Sequence, residues 1–125
     1  MYDLMIIGSG PAGISAALTA KARNLNFIWF GSRALSTKIE KAEKIMNYPG
    51  LPAVTGSEMQ SVFLKQIDDC GITITESQVN SIYDCGGYFA AGADNEIYEA
   101  KAVIMTVGMT TTRAVSYTHL TLPTT

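Results

Sequence analysis

Gly8-Ser9-Gly10-Pro11-Ala12-Gly13 is the run of residues in this chain best suited to chemistry. Its spacing is G-x-G-x-x-G, and it lies between an apolar stretch and a run of helix-forming residues. Each glycine has a separate physical task in such a turn. Gly8 permits the tight bend, Gly10 lets a pyrophosphate come close to the backbone, and Gly13 lets helix and strand pack closely. The start of the helix adds free N–H donors and the positive end of its dipole. The chemistry implied is the binding of a dinucleotide. A glycine-rich turn without a ligand is the bland alternative, and the strand-turn-helix context weighs against it.

The motif does not say which dinucleotide. An acidic residue at the end of the second strand, roughly 20 residues on, would bind the ribose hydroxyls. The sequence there is Phe30-Gly31-Ser32-Arg33. Arg33 could receive a 2′-phosphate, which would favour NADP, or it is an ordinary exposed charge; Ser32 or backbone groups would then serve the ribose. Other site classes find little support. Cys70 and Cys85 lie far apart in sequence and read as small hydrophobes or incidental thiols. No His and Cys cluster has zinc-ligand spacing, and no Ser-His-Asp set is plausible because the one histidine, His119, lies in the Thr-rich C-terminal stretch that reads as foreign. Lys38, Lys41 and Lys44 alternate with Glu40 and Glu43, as on a solvated face. Asp68 and Asp69 carry no assigned chemistry.

The elements that must position the glycine turn are legible. Tyr2–Ile7 reads as a buried strand, with Leu4, Met5, Ile6 and Ile7 in a continuous apolar run. A helix with the small residues Ala12, Gly13, Ala16, Ala17 and Ala20 runs from Pro11 to Arg23, and Asn24 closes it. Asn26–Phe30 is a second apolar strand, completing a right-handed βαβ unit. A short surface helix or ordered loop follows over Ser32–Met46, then a turn-rich stretch, Asn47-Tyr48-Pro49-Gly50. A stronger helix over Gly56–Cys70 is capped by Thr55 or Ser57, with Met59, Val62, Phe63, Ile67 and Cys70 facing inward and Gly71 ending it. Ile72–Thr75 reads as a short strand. Gln78–Tyr83, Tyr88–Gly92 and Glu96–Glu99 form an antiparallel meander, and Ala102–Thr106 returns to the parallel sheet.

Composition agrees with a folded domain. The chain has 125 residues, of which 47% are hydrophobic and 16% charged, far from the polar, charged signature of disorder. A net charge of −2 weighs against a nucleic-acid surface. No apolar run reaches the ~20 residues that span a bilayer, and Met1-Tyr2-Asp3 has no basic region typical of a signal peptide. The expectation is a cytoplasmic, globular α/β protein without nucleic-acid or membrane partners. Val115–Thr125 is Thr-rich and without helical period. It resembles adapter DNA read as coding sequence, the alternative being a native flexible terminus. Residues 1–113 are expected to form the domain and 114–125 a non-native or disordered tail.

Several segments together resemble a known family. MYDLMIIGSGPAGISAAL is similar to the start of the FAD-binding domain of thioredoxin reductase-like flavoproteins. Asn47, Tyr48, Pro49, Gly50, Pro52, Gly56 and Glu58 match that family's N-(Y/W)-P-G-x-P…G-x-E segment, the meander follows in the expected place, and AKAVIMTVG resembles its strand ending in A-T-G. The resemblance implies a Rossmann-like FAD/NAD(P)-binding α/β fold with a small meander. It also implies that the backbone of Gly8, Ser9, Gly10, Pro11, Ala12 and Gly13 holds the FAD pyrophosphate, and that Phe30 and Gly31 border the adenosine ribose. Asn47 would face the isoalloxazine ring, Val79 the adenine, and Gly108 would allow close approach to the cofactor. Read without the family, Asn47 is a turn residue, Val79 core and Gly108 a loop glycine.

There are departures. Ser36-Thr37-Lys38 stands where the family often has Gly-Gly-Gln, and Val107 stands in place of a threonine. Neither a C-x-x-C nor a second G-x-G-x-x-G occurs. The expectation is the truncated FAD-binding half of an oxidoreductase. In the parent, electrons would pass from NADPH or NADH through flavin to a disulfide, a thioredoxin-like protein or a small-molecule acceptor, and the parent could be a homodimer. The chain alone would then turn nothing over and hold no catalytic residue or metal. Two alternatives stand beside it. One is a single NAD(P)-binding domain, which Arg33 supports. The other is a non-functional fragment that associates through an exposed apolar edge.

Overall fold

The computed structural model describes residues 1–107. Along them run β1 (Tyr2–Ile7), α1 (Pro11–Ala22), β2 (Phe27–Phe30), α2 (Thr37–Glu40), α3 (Gly56–Asp69), β3 (Val79–Asp84), β4 (Phe89–Ala93) and β5 (Glu96–Met105). The strands form one mixed sheet in the order β2-β1-β5-β4-β3. β1 is parallel to both β2 and β5, while β4 is antiparallel to β3 and β5.

β1 is the centre of the parallel part and is buried on both faces. Successive side chains alternate across a strand, so Leu4 and Ile6 join α1 and α3 in one core, with Ile14, Ala17, Trp29, Phe63 and Ile67. Met5 and Ile7 fall into a second core with Ile28, Phe30, Ile82 and Ala91. The sheet curls enough for Tyr98 of β5 to meet Phe30 of β2 edge to face, ring centroids 5.1 Å apart. Burial on both faces is why β1 reads as an unbroken apolar run.

Both long helices end as their sequences suggest. In α1, Asn24 takes a left-handed conformation (φ 57°); its N–H bonds to the Lys21 carbonyl and the Leu25 N–H to the Ala20 carbonyl, a Schellman closure. At the start of α3, the Thr55 hydroxyl accepts the Glu58 N–H and the Glu58 carboxylate accepts the Thr55 N–H, a capping box. Asp94 and Asn95, at φ 49° and 64°, make the tight turn between β4 and β5.

Three expectations need correction. Glu96–Glu99 and Ala102–Thr106 are one continuous strand: Ala100 pairs with Phe89 of the meander and with Tyr2 of β1. Ile72–Thr75 is reduced to a single parallel bridge between Thr75 and Phe30. In α3, Val62 and Cys70 are exposed; the inward stripe is Gly56, Met59, Gln60, Phe63 and Ile67, at strict helical spacing.

Candidate functional site

The glycine turn is held from three sides. The Gly8 N–H donates to the Phe30 carbonyl of β2 (2.9 Å). Trp29 Nε1 donates to the Gly8 carbonyl (2.7 Å). Just past the end of β5, the Thr106 N–H and hydroxyl both donate to the Ile7 carbonyl, at 2.8 and 2.9 Å. Gly8 has φ +119°, and a Cβ there would strike Thr106. A Cβ on Gly13 would strike the Gly8 carbonyl oxygen, so its missing side chain is what allows α1 to start so close to β1.

Gly10 is different. Its φ of −76° and ψ of −174° suit any residue, and a Cβ there would meet nothing within 4 Å. The protein itself makes no demand for glycine at this position. Gly10 is also the N-cap of α1, with no side-chain cap, and Pro11 opens the helix. The first N–H groups of α1 are therefore left for an acceptor from outside the helix.

These groups line a cleft of about 1030 Å³ that also takes in Phe30, Gly31, Leu35, Lys38, Glu76, Val79 and Val107. Ligand sites typically run roughly 300–1,000 Å³, so the cleft has room for an extended molecule. It lies beyond the carboxyl ends of β1, β2 and β5, the place where parallel α/β sheets bind ligands. Gly8, Ser9, Gly10, Pro11, Ala12, Phe30, Gly31 and Val79 all border it; Gly13 stands behind it, packed on Gly8. Asn47 is exposed and is not among the lining residues. An Ile45–Val54 bridge closes its loop, and Tyr48 anchors the loop on Phe63 of α3, ring centroids 5.5 Å apart. Gly108 and the 114–125 tail lie outside the described residues.

Sequence reasoning assigned Ser9 only a backbone role. Its hydroxyl is buried, donates to the Leu35 carbonyl and accepts the Ser32 N–H, each at 3.0 Å. Gln60 of α3 donates from Nε2 to the Ala34 and Ser36 carbonyls at 2.6 and 3.0 Å. Together they hold the Ser32–Ser36 wall of the cleft, where Leu35 sits in the left-handed region at φ 58°. Nothing in the spacing of Ser9 or Gln60 announces these bonds.

Arg33 turns away from the cleft. Its guanidinium makes a two-pronged pair with Asp68 of α3, at 3.0 and 2.9 Å. The hydrogen bond to Asp68 raises the Arg33 pKa and the same bond lowers that of Asp68. Arg33 is thus engaged with Asp68 on the surface and is not among the residues that line the cleft. Cys70 and Cys85 are both free and exposed, one capping α3 and one in the β3–β4 hairpin. Among the described residues no group of His, Cys, Asp and Glu could hold a metal, and no helix is long and apolar enough to cross a membrane.

A strand, a glycine turn, a helix of small residues and a cleft at the sheet's carboxyl end define a Rossmann-like α/β fold. The comparisons narrow this. Thioredoxin reductase of Bacillus subtilis is 28% identical over 108 residues, 86% of this chain and 34% of the relative. That of Mycoplasma genitalium is 42% identical over 59 residues, 47% of this chain and 19% of the relative. A solved ferredoxin-flavin thioredoxin reductase from Clostridium acetobutylicum is 43% identical with a TM-score of 0.86, covering 92% of this chain and 40% of that one. Thioredoxin reductase of Lactococcus lactis is 27% identical with a TM-score of 0.78, covering 86% and 36%. No protein-family profile matches. The chain is thioredoxin reductase-like in sequence and fold, and it spans about a third of the length of the curated relatives it matches.

Proposed function

We propose that this chain is the FAD-binding part of a thioredoxin reductase-like oxidoreductase. The observation that carries the reading is Gly10: a glycine that neither backbone geometry nor packing requires, at the uncapped start of α1, facing open space. A pyrophosphate fits that space and would receive the N–H groups of the first turn. Gly8 and Gly13 shape the turn beneath it, Phe30 and Gly31 border the adenosine end, and Val79 stands by the adenine. Asn47 and Gly108 are proposed flavin-side contacts through the family resemblance.

Flavin, when bound, supplies the electron transfer, while the protein supplies position and surroundings. This chain's own residues bind and orient; among them Thr106 and Ser9 keep the turn and the cleft wall in register. In the complete parent the electrons would come from NADPH or NADH and go to a thioredoxin-like protein or another disulfide, in a cytoplasmic setting with free thiols. A second donor is favoured by one observation: the 43% identical relative is a ferredoxin-flavin thioredoxin reductase. The donor would then be a ferredoxin in place of a nicotinamide. The domain would extend to about residue 113, with 114–125 foreign to it.

Calorimetric titration of the purified chain with FAD, NADP and NAD tests the reading. FAD binding with little response to NADP is the expected result. Tight NADP binding without FAD binding would overturn it in favour of a nicotinamide domain.

A further inference from the structure

The end of β2 carries no acid for a ribose, yet the cleft does contain one. Glu76 is the one carboxylate among the described residues that line it, and Lys38 the one cation. Glu76 comes from a different part of the chain than the usual ribose acid. The bridge between Phe30 and Thr75 places it there: the Thr75 N–H donates to the Trp29 carbonyl (2.7 Å) and the Gly31 N–H to the Thr75 carbonyl (3.1 Å). Glu76 therefore leaves the sheet edge beside Gly31. Its Oε2 accepts the Arg33 N–H at 3.1 Å. A carboxylate has about four lone-pair positions, so further acceptor capacity remains.

We infer that Glu76 is the acceptor for the adenosine ribose hydroxyls, supplied by the segment after Thr75 in place of the acid missing from β2. The inference rests on the FAD reading and adds a residue and a selectivity to it. The loop backbone at Arg33 holds the carboxylate at the mouth of the cleft, while the Arg33 side chain is drawn off to Asp68. Among the described residues the only other charge on the cleft, Lys38, sits on α2. A carboxylate in this position accepts hydrogen bonds from a ribose diol and repels a 2′-phosphate. The site thereby takes an unphosphorylated adenosine ribose.

The test is a coupling experiment on the full chain, following flavin fluorescence with FAD and with its 2′-deoxyadenosine analogue. A hydrogen bond to a charged group is worth about tenfold or more in affinity. The wild-type chain is expected to prefer FAD by about that factor. Glu76→Ala should bind both ligands alike, near the weaker value. A merely structural role for Glu76 would weaken both ligands and leave the preference intact, which would overturn the inference while FAD binding stands. Glu76→Gln, which keeps the shape and the acceptor for Arg33, provides the second variant should the alanine protein not fold. In it, discrimination between ADP and its 2′-phosphorylated form should fall by about tenfold; unchanged discrimination again refutes the inference. Failure of the wild-type chain to bind either flavin would overturn the FAD reading and this one with it.

Discussion

Replacing Gly10 with alanine puts one methyl group into the space where the pyrophosphate is proposed to lie. The effect on the folded chain should be small. The backbone at Gly10 is extended and the added Cβ meets no atom within 4 Å. A poorer N-cap costs a few tenths to about 1 kcal/mol, and the smaller entropy of the unfolded chain returns about 0.4–1 kcal/mol. The melting temperature should therefore move by no more than a few degrees. Ligand affinity should respond quite differently. A phosphate pushed back from the first turn of α1 loses charge-assisted hydrogen bonds worth about 1.5–3 kcal/mol each. Two such losses lower the affinity by about a hundredfold or more. Parallel measurements of thermal unfolding and of FAD fluorescence quenching separate the two effects. Gly13→Ala is the contrasting variant: its Cβ collides with the Gly8 carbonyl, so helix and strand must part, at a cost of about 1–3 kcal/mol. A folded Gly10→Ala chain that binds FAD within twofold of wild type would refute the reasoning, because the ligand would then not approach Gly10.

Other consequences can be checked with similar means. Ser9→Ala leaves the Leu35 carbonyl and the Ser32 N–H without their partner; it should destabilise the chain by about 1–3 kcal/mol and speed hydrogen exchange at Ser32. Thr55→Ala removes the capping box and should cost about 1 kcal/mol in urea unfolding. Hydrogen bonding from the Thr55 N–H to Glu58, from the Asn26 N–H to Asp3 and from Arg33 to Asp68 lowers all three folded-state pKa values. Their stabilising effect is thus complete above the ordinary carboxylate range and is lost as pH falls through the folded values; an acid titration of the circular dichroism signal should show stability falling in that window. The 125-residue chain, which has no C-x-x-C, should show no NADPH-dependent disulfide reduction in a thiol-release assay.

The glycine turn, α1, the β3–β4 hairpin and the two-sided burial of β1 were legible because each rests on local chemistry: spacing, small residues, turn formers and an apolar run. The rest depends on which segments meet in space. Ser9 and Gln60 hold the cleft wall through bonds across 26 residues, and no periodicity records such a partner. Arg33 looks free in sequence because Asp68 lies on a helix 35 residues away. Glu76 follows a strand so short that it survives as one bridge, so its arrival beside Gly31 could not be read from an alternating pattern. Val62 and Cys70 looked inward from hydrophobicity alone, whereas the polar Gln60 is the residue buried on that face. The place of Asn47 came from family resemblance; its loop is anchored through Tyr48 on α3 and leaves Asn47 exposed.

The central claim is that the cleft over Gly10 takes FAD. Equilibrium dialysis of the purified chain against FAD, FMN and NADP, with bound flavin quantified by absorbance after denaturation, tests it most directly. One FAD is expected to be retained per chain, with little FMN because it lacks the adenosine half, and little NADP because Glu76 would face its 2′-phosphate. Retention of NADP with FAD left free in solution would contradict it.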